Sequence, residues 1–130
     1  MAVDTNMRVL IVDDDKTMLR LMCNLLKQLN FNNVDEAIDG TEALTVLRDD
    51  GDKFGLIISD WNMEPMTGMQ LLREVRGDDD LKSIPFIMVT AESKSEHVIA
   101  AKEAGVSNYI VKPFNAKSFK SKMVSVLGEF

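Results

Sequence analysis

Hydrophobic residues in this chain fall into short apolar runs separated by longer amphipathic segments. Four runs are rich in β-branched residues and too short for buried helices; they cover residues 9–12, 56–58, 86–89 and 109–111. Near-continuous apolar runs of this length are typical of parallel strands covered on both faces. A fifth run, Val34–Ala37, contains two acidic residues and is predicted to be an edge strand.

The segments between the runs have the periodicity of amphipathic helices. The first carries a wide apolar stripe from Met18 to Leu29. Asn115 is a good N-cap for the last helix, and Gly105 can close the fourth in a left-handed conformation. The second, third and fourth helices are predicted to begin near Asp39, Thr67 and Ser95, and to end near Gly51, Gly77 and Gly105.

The order of elements is β-α repeated five times within 130 residues. Such alternation predicts a parallel sheet with right-handed crossovers and helices on both faces. Five units are too few for an eight-stranded barrel, so an open, doubly wound α/β fold is expected. Because no Pro-, Gly- or Ser-rich linker interrupts the pattern, residues 1–130 are predicted to form a single domain.

Composition narrows the class of protein. Hydrophobic residues make up 45% and charged residues 28%, as expected for a globular protein with a core. The net charge of -6 argues against nucleic-acid binding, and no apolar stretch is long enough for a membrane span. The N-terminus has no secretory signal pattern. The single cysteine, Cys23, excludes an internal disulfide and predicts a reducing, cytoplasmic location.

Polar residues follow the apolar runs at the positions where an open parallel sheet binds ligands. Asp13 and Asp14 follow the first run, and Asp60 follows residues 56–58 after one serine. Thr90 follows residues 86–89, and Lys112 follows residues 109–111. Carboxylates, a hydroxyl and an ammonium group are therefore expected to meet at one edge of the sheet.

Three aspartates at that edge indicate a cation site. Asp13, Asp14 and Asp60 would raise one another's pKa values unless a positive charge neutralised them. Mg²⁺ commonly binds one or two carboxylates together with waters and phosphate oxygens. The alternative is that Asp13 or Asp14, or more readily Asp15, only caps the first helix.

Asp60 is the candidate nucleophile, because carboxylates can form acyl phosphates. Phosphoryl transfer needs mainly positioning and charge neutralisation. Lys112 would supply a point charge and Thr90 a hydroxyl donor. The alternatives are a surface lysine at 112 and a strand-end cap at 90.

Four motifs at strand ends carry a family resemblance: Val-Asp-Asp at 12–14, Ile-Ser-Asp-Trp-Asn-Met at 58–63, Val-Thr-Ala-Glu at 89–92 and Tyr-Ile-Val-Lys-Pro-Phe at 109–114. With these motifs in this order, the whole chain resembles bacterial response-regulator receiver domains, especially the single-domain, CheY-like chemotaxis type. The resemblance implies a flavodoxin-like fold with five helices and strand order 2-1-3-4-5.

The resemblance also implies roles around the acceptor. Asp60 matches the phosphoacceptor, Asp14 a direct Mg²⁺ ligand and Asp13 a ligand acting through water. Asn62 matches the position whose backbone carbonyl binds the metal. Asn62 and Glu92 match positions that tune dephosphorylation.

Further positions match the signalling parts of the family. Thr90 and Lys112 match the pair that contacts the phosphoryl group. The peptide bond before Pro113 matches one that is typically cis. Tyr109 matches an aromatic residue whose ring moves inward when Thr90 moves. The surface expected to meet partners carries Ala91, Lys94, Tyr109, Lys117, Lys120 and Lys122. Its lysines suggest an acidic peptide or helix, the alternative being an ordinary solvated helix face.

One loop departs from the family pattern. The family usually has Met-Pro-x-Met-Asp-Gly after the acceptor, whereas residues 63–68 read Met-Glu-Pro-Met-Thr-Gly. The distance to Gly68 is unchanged, so the turn is expected to form. Glu64 is expected near the site, where it would affect metal affinity or partner contacts.

Other distinctive side chains have simpler expected roles. Cys23 is expected to be buried and His97 to be exposed on the fourth helix. Trp61 is expected to report metal and phosphoryl binding through its fluorescence. Three methionines are expected to fill the core: Met18, Met22 and Met123.

The resulting prediction is a monomeric signalling switch rather than a conventional enzyme. Its phosphodonor would be a histidine kinase and its target a protein such as a flagellar motor switch component, with no nucleic acid or membrane involved. One alternative is a phosphate sink or relay intermediate. Another is a Mg²⁺-dependent phosphohydrolase, although Asn62 stands where such enzymes usually have a second aspartate. A flavodoxin-like cofactor carrier is disfavoured because no glycine-rich loop follows the first strand.

Overall fold

A computed structural model describes residues 4–50, 54–91 and 95–128. Strands and helices alternate as the hydrophobic pattern predicts. The strands are β1 (Arg8–Val12), β2 (Val34–Ala37), β3 (Phe54–Asp60), β4 (Phe86–Thr90) and β5 (Asn108–Val111). The helices are α1 (Lys16–Gln28), α2 (Gly40–Asp50), α3 (Gly68–Gly77), α4 (Ser95–Glu103) and α5 (Ala116–Leu127). The predicted end of α2 at Gly51 lies outside the described residues.

The five strands form one parallel sheet in the order β2-β1-β3-β4-β5. This confirms the predicted doubly wound fold and the edge position of β2. The third strand is longer than predicted, and Asp60 is its last residue rather than the residue after it. Asp60 pairs with Val89 of β4, which fixes the position of its backbone in the centre of the sheet.

Successive strand residues point to opposite faces of the sheet, so the core has two layers. Leu10 and Ile57 face the layer covered by α2, α3 and α4, whereas Ile11 and Ile58 face α1 and α5. Met22 and Met123 are buried in the second layer, as predicted, and Met18 packs at its border.

Asp35, one of the two acidic residues of β2, is paired with a cation at the sheet edge. The Arg8 guanidinium lies 2.5 Å from Oδ2 of Asp35 and 4.4 Å from the centre of the Phe54 ring. Arg8 thus pairs with a strand carboxylate and covers an aromatic ring at the same time.

Side-chain caps define the helix ends. Thr67 and Gln70 form a capping box at the start of α3, and Asn115 and Ser118 form another at the start of α5. Gly105, after α4, has a φ of 96°, so the predicted left-handed closure is confirmed. Among the described residues, none of the helices is long and apolar enough to cross a membrane.

Cys23 differs from its prediction: it is half-buried rather than buried. It packs at the border of the α1 and α5 layer and also lines an open groove between α1 and β2. Helical periodicity identified the apolar side of α1 but did not locate the edge of its contact with the sheet.

Gly68, the first residue of α3, is pressed against the end of β3. Its N–H donates to the Trp61 carbonyl at 2.9 Å. A Cβ added at Gly68 would lie 2.1 Å from the Asp60 carbonyl oxygen and 2.9 Å from Trp61 Cα. Only glycine allows the loop after Asp60 to turn this tightly.

We therefore expect Gly68→Ala to lower the free energy of unfolding by about 3 kcal/mol, the upper end of overpacking costs, as measured by urea denaturation. Gly77→Ala is the matched control at the other end of α3, because a Cβ there would meet nothing within 4 Å. The control should be neutral or gain up to about 1 kcal/mol. Equal effects of the two substitutions would contradict the close approach at Gly68.

Candidate functional site

Backbone pairing brings the predicted site residues to one edge of the sheet. Val12 pairs with Ser59, so Asp13 emerges beside Asp60. The Lys112 N–H donates to the Thr90 carbonyl at 2.7 Å, which joins the ends of β4 and β5. The convergence therefore follows from strand register, before any side-chain contact is considered.

The three aspartates form one cluster. Asp13 is 1% exposed and Asp60 4%, whereas Asp14 is exposed to solvent. A carboxylate oxygen from each residue lies within 4.8 Å of the others. Asp15 lies outside the cluster and caps α1, where its side chain accepts from the Thr17 N–H.

Lys112 supplies the positive charge of the cluster. Its Nζ lies 2.8 Å from Oδ1 of Asp60 and 3.7 Å from Oδ2 of Asp13. Burial alone would lower the pKa of Lys112, but the hydrogen bond and charge of Asp60, together with Asp13, raise it above its ordinary value. Lys112 is therefore an ammonium ion at neutral pH.

One ammonium group does not neutralise three carboxylates. Burial is the main cause that raises the pKa of Asp13 from 3.8 to about 6, and the neighbouring Asp60 charge adds to it. Burial likewise raises the pKa of Asp60, and Lys112 opposes that effect. The site holds more negative charge than its own groups balance.

The donor set fits Mg²⁺. Oδ1 of Asp13 accepts from the Asp15 N–H at 2.9 Å, but Oδ2 is buried and receives no hydrogen bond from any described residue. The Lys112 ammonium, at 3.7 Å, is too far away to donate a hydrogen bond, and a bound water or metal ion would supply the missing contact. Hard oxygen ligands with excess negative charge are those that Mg²⁺ prefers.

An open cavity adjoins the cluster on its solvent side. It has a volume of about 330 Å³ and is lined by Asp14, Asn62, Met63, Glu64 and Thr67. Glu64, which departs from the family pattern, thus lies beside Asp14 and Asn62. The bonds before Pro65 and Pro113 are both cis.

The predicted signalling residues are only partly described. Lys117 and Lys120 are exposed on α5, whereas Lys122 and Tyr109 are half-buried. Ala91 is exposed at the end of β4, and Thr90 is fully buried. The predictions for Glu92 and Lys94 concern positions outside the described residues.

The sequence-based expectation for His97 is wrong: its ring is half-buried, not exposed. It packs against Trp61 with ring centroids 5.4 Å apart and planes at 66°. No local pattern predicts this contact, because the two residues lie on different elements.

Asp13 provides a test of the charge imbalance. A folded-state pKa above the unfolded value means that the folded protein binds the proton more tightly, so stability falls as pH rises from about 4 to about 6. Without metal at pH 7, Asp13→Asn should raise the free energy of unfolding by about 1–3 kcal/mol in urea denaturation. Saturating Mg²⁺ should narrow the difference, because it stabilises the wild type by binding.

Asp15→Asn is the matched control, since it removes the same charge from the same segment at an exposed capping position. Its effect should stay within about 0.5 kcal/mol. A lower stability of Asp13→Asn than of the wild type, at pH 7 without metal, would contradict the excess of negative charge at the cluster.

Comparison with known proteins agrees with the fold and identifies the family. The model of the response regulator receiver domain matches residues 9–124. Chemotaxis protein CheY-3 of Vibrio cholerae is 50% identical over 121 residues, which cover 93% of this chain and 92% of that protein. Chemotaxis protein CheY of Pseudomonas aeruginosa is 49% identical over 120 residues, covering 92% of this chain and 95% of that protein.

Solved structures agree as well. Vibrio cholerae CheY4 superposes with a TM-score of 0.85 at 33% identity, covering 92% of this chain and 98% of that one. The Borrelia burgdorferi CheX-CheY-BeF3-Mg complex gives 0.86 at 28% identity, covering 92% and 87%. The chain belongs to the response regulator receiver domain family.

Proposed function

We propose that this chain is a single-domain response regulator that accepts a phosphoryl group on Asp60 from a phosphohistidine of a histidine kinase. The observation that carries the proposal is the charge arrangement at the sheet edge. A buried carboxylate lies 2.8 Å from an ammonium group and within 4.8 Å of two further carboxylates. This arrangement supports the proposal, because the proposed acceptor has a cation on one side and carboxylates that could bind a metal on the other.

The transfer conserves atoms and charge in one displacement. An Asp60 carboxylate oxygen forms a bond to phosphorus as the bond from phosphorus to the kinase imidazole nitrogen breaks. The imidazole keeps the electron pair of that bond. The product is an aspartyl phosphate, a known type of covalent intermediate.

The chain's own residues position and neutralise the transferred group. Lys112 would move from the Asp60 carboxylate to a phosphoryl oxygen, and the Thr90 hydroxyl would donate to another. Asp13, Asp14, Asp60 and the Asn62 carbonyl would hold Mg²⁺, which when bound neutralises charge on the phosphoryl oxygens. Asn62 and Glu92 would tune the later loss of the group.

We infer that the output is protein binding in chemotaxis, with a flagellar motor switch component as the kind of target. A cavity of about 450 Å³ lies between α4, β5 and α5 and is lined partly by Val98, Tyr109 and Pro113. Two exposed apolar side chains, Ile99 and Val111, lie on the same elements. These features support a protein-binding face formed by α4, β5 and α5.

Charge indicates the chemistry of that target. Lys102 and Lys122 line the cavity, and Lys117 and Lys120 are exposed on α5. These lysines belong to a protein whose net charge is -6. An acidic amphipathic helix would complement both the apolar cavity and its basic border. A cytoplasmic location follows for a protein that serves a kinase and a motor component.

Phosphorylation can be measured by intact mass spectrometry after incubation with acetyl phosphate and Mg²⁺. The wild type should gain one phosphoryl group and Asp60→Asn none, because the amide is not a nucleophile for this reaction. Lys112→Gln should slow the gain by about a hundredfold, the effect of losing one electrostatic donor. Asp49→Asn, an exposed position on α2, is the control and should match the wild type. An equal gain in Asp60→Asn would refute the assignment.

Docking can be measured by titrating the phosphorylated protein into a labelled acidic helical peptide. Reversing charge at both Lys117 and Lys120 to Glu should weaken binding about tenfold or more, mainly through slower association at low salt. Lys82→Glu, an exposed lysine in the loop after α3, should have no effect. Unchanged affinity in the double variant would exclude this face.

A further inference from the structure

The contact between Trp61 and His97 joins the acceptor site to α4. These residues are the only tryptophan and the only histidine in the sequence. Trp61 directly follows Asp60, and its backbone N–H donates to the Val89 carbonyl at 3.0 Å. His97 lies in the first turn of α4. The edge-to-face pair, with centroids 5.4 Å apart, therefore bridges the end of β3 and the beginning of α4.

The middle of α4 buries little apolar surface. Among its described side chains, only Ala101 is buried; Val98 and Ala100 are half-buried, and Ile99 is 53% exposed. A helix with little buried apolar surface shifts at low cost in free energy. Contacts at its two ends therefore have a large influence on its position.

The C-terminal end of α4 is fixed by Arg76 of α3. Its Nε donates to the Gly105 carbonyl at 2.8 Å. Its Nη1 donates to the carbonyls of Ile84 at 2.7 Å and Lys82 at 3.0 Å. One guanidinium thus ties the turn after α4 to the segment that leads into β4. Movement of α4 is therefore expected mainly at its other end, where His97 lies.

We propose that the Trp61–His97 ring contact couples the charge state of Asp60 to the position of the first turn of α4. His97 is then a positioning residue of the switch. The coupling rests on the proposed function, because it requires that Asp60 and its neighbours change state on binding metal and a phosphoryl group. A perturbation at Asp60 moves the adjacent indole, and an edge-to-face pair depends on both ring distance and angle.

Lys112 Nζ lies 2.8 Å from the Asp60 carboxylate, a contact that a phosphoryl group on Asp60 would displace. The ring contact occurs together with that ion pair and, on this proposal, stabilises the arrangement that contains both. Removing the contact should release α4 and favour the phosphoryl-bound state. The energy of one aromatic pair sets the size of the effect at about two- to tenfold in affinity.

The single histidine and single tryptophan make the test site-specific. In the wild type at constant pH, NMR signals of the His97 imidazole should shift when Mg²⁺ and beryllofluoride, an aspartyl phosphate analogue, are added together. Trp61 emission should change over the same titration. In Asp60→Asn, beryllofluoride should move neither signal.

Substitutions at His97 test the direction. His97→Ala should bind beryllofluoride two- to tenfold more tightly, as followed by Trp61 emission, and His97→Phe should restore the wild-type affinity by restoring an aromatic edge. Glu103→Ala, which truncates an exposed residue of the same helix, is the control and should bind as the wild type does. Unchanged or weaker binding by His97→Ala overturns the proposal.

Different results would disprove the coupling and the phosphoacceptor assignment. If Trp61 emission responds while the wild-type imidazole signals stay fixed, the coupling is wrong and the phosphoacceptor assignment stands. If neither signal responds and acetyl phosphate adds no mass, the phosphoacceptor assignment is wrong and the coupling falls with it. The wild-type spectra decide the question even if a His97 variant fails to fold.

Discussion

The charge arrangement at the carboxyl edge of the sheet depends on the hydrogen-bonded ion pair between Lys112 and Asp60. Its two groups come from different strand ends, and both are largely removed from water. A buried pair of this kind contributes little to stability by itself, because desolvation offsets most of the Coulomb attraction. The ion pair matters because it positions charge: Lys112 holds the buried Asp60 carboxylate, and carboxylate oxygens of Asp13 and Asp14 lie within 4.8 Å. The surplus negative charge is then available to a cation.

The sheet places these charges without help from flexible loops. Register joins Val12 to Ser59 and Asp60 to Val89, and a backbone hydrogen bond joins Thr90 to Lys112. The capping box of Thr67 and the absence of a side chain at Gly68 allow α3 to begin in direct contact with the end of β3. Preorganisation of this kind suits phosphoryl transfer, in which the protein mainly positions and neutralises.

The sequence predicted the fold, the approximate positions of the strands and several helix caps, because each depends on local pattern, although β3 extends beyond its predicted run at both ends. Runs of apolar residues identify strands, and Asn115 or Gly105 identifies a helix end within a few positions. The contacts of His97 and Arg76 and the exposure of Cys23 could not be predicted in this way. They depend on how separate elements pack, and periodicity specifies the buried side of a helix but not its neighbours.

The most direct measurement is a crystal structure of this chain with Mg²⁺ and beryllofluoride. We predict beryllium bonded to an Asp60 oxygen, Mg²⁺ on Asp14, Asp60 and the Asn62 carbonyl, and Lys112 moved from Asp60 onto a fluorine. Beryllofluoride bound away from Asp60, or Mg²⁺ bound without any of the three aspartates, would contradict it.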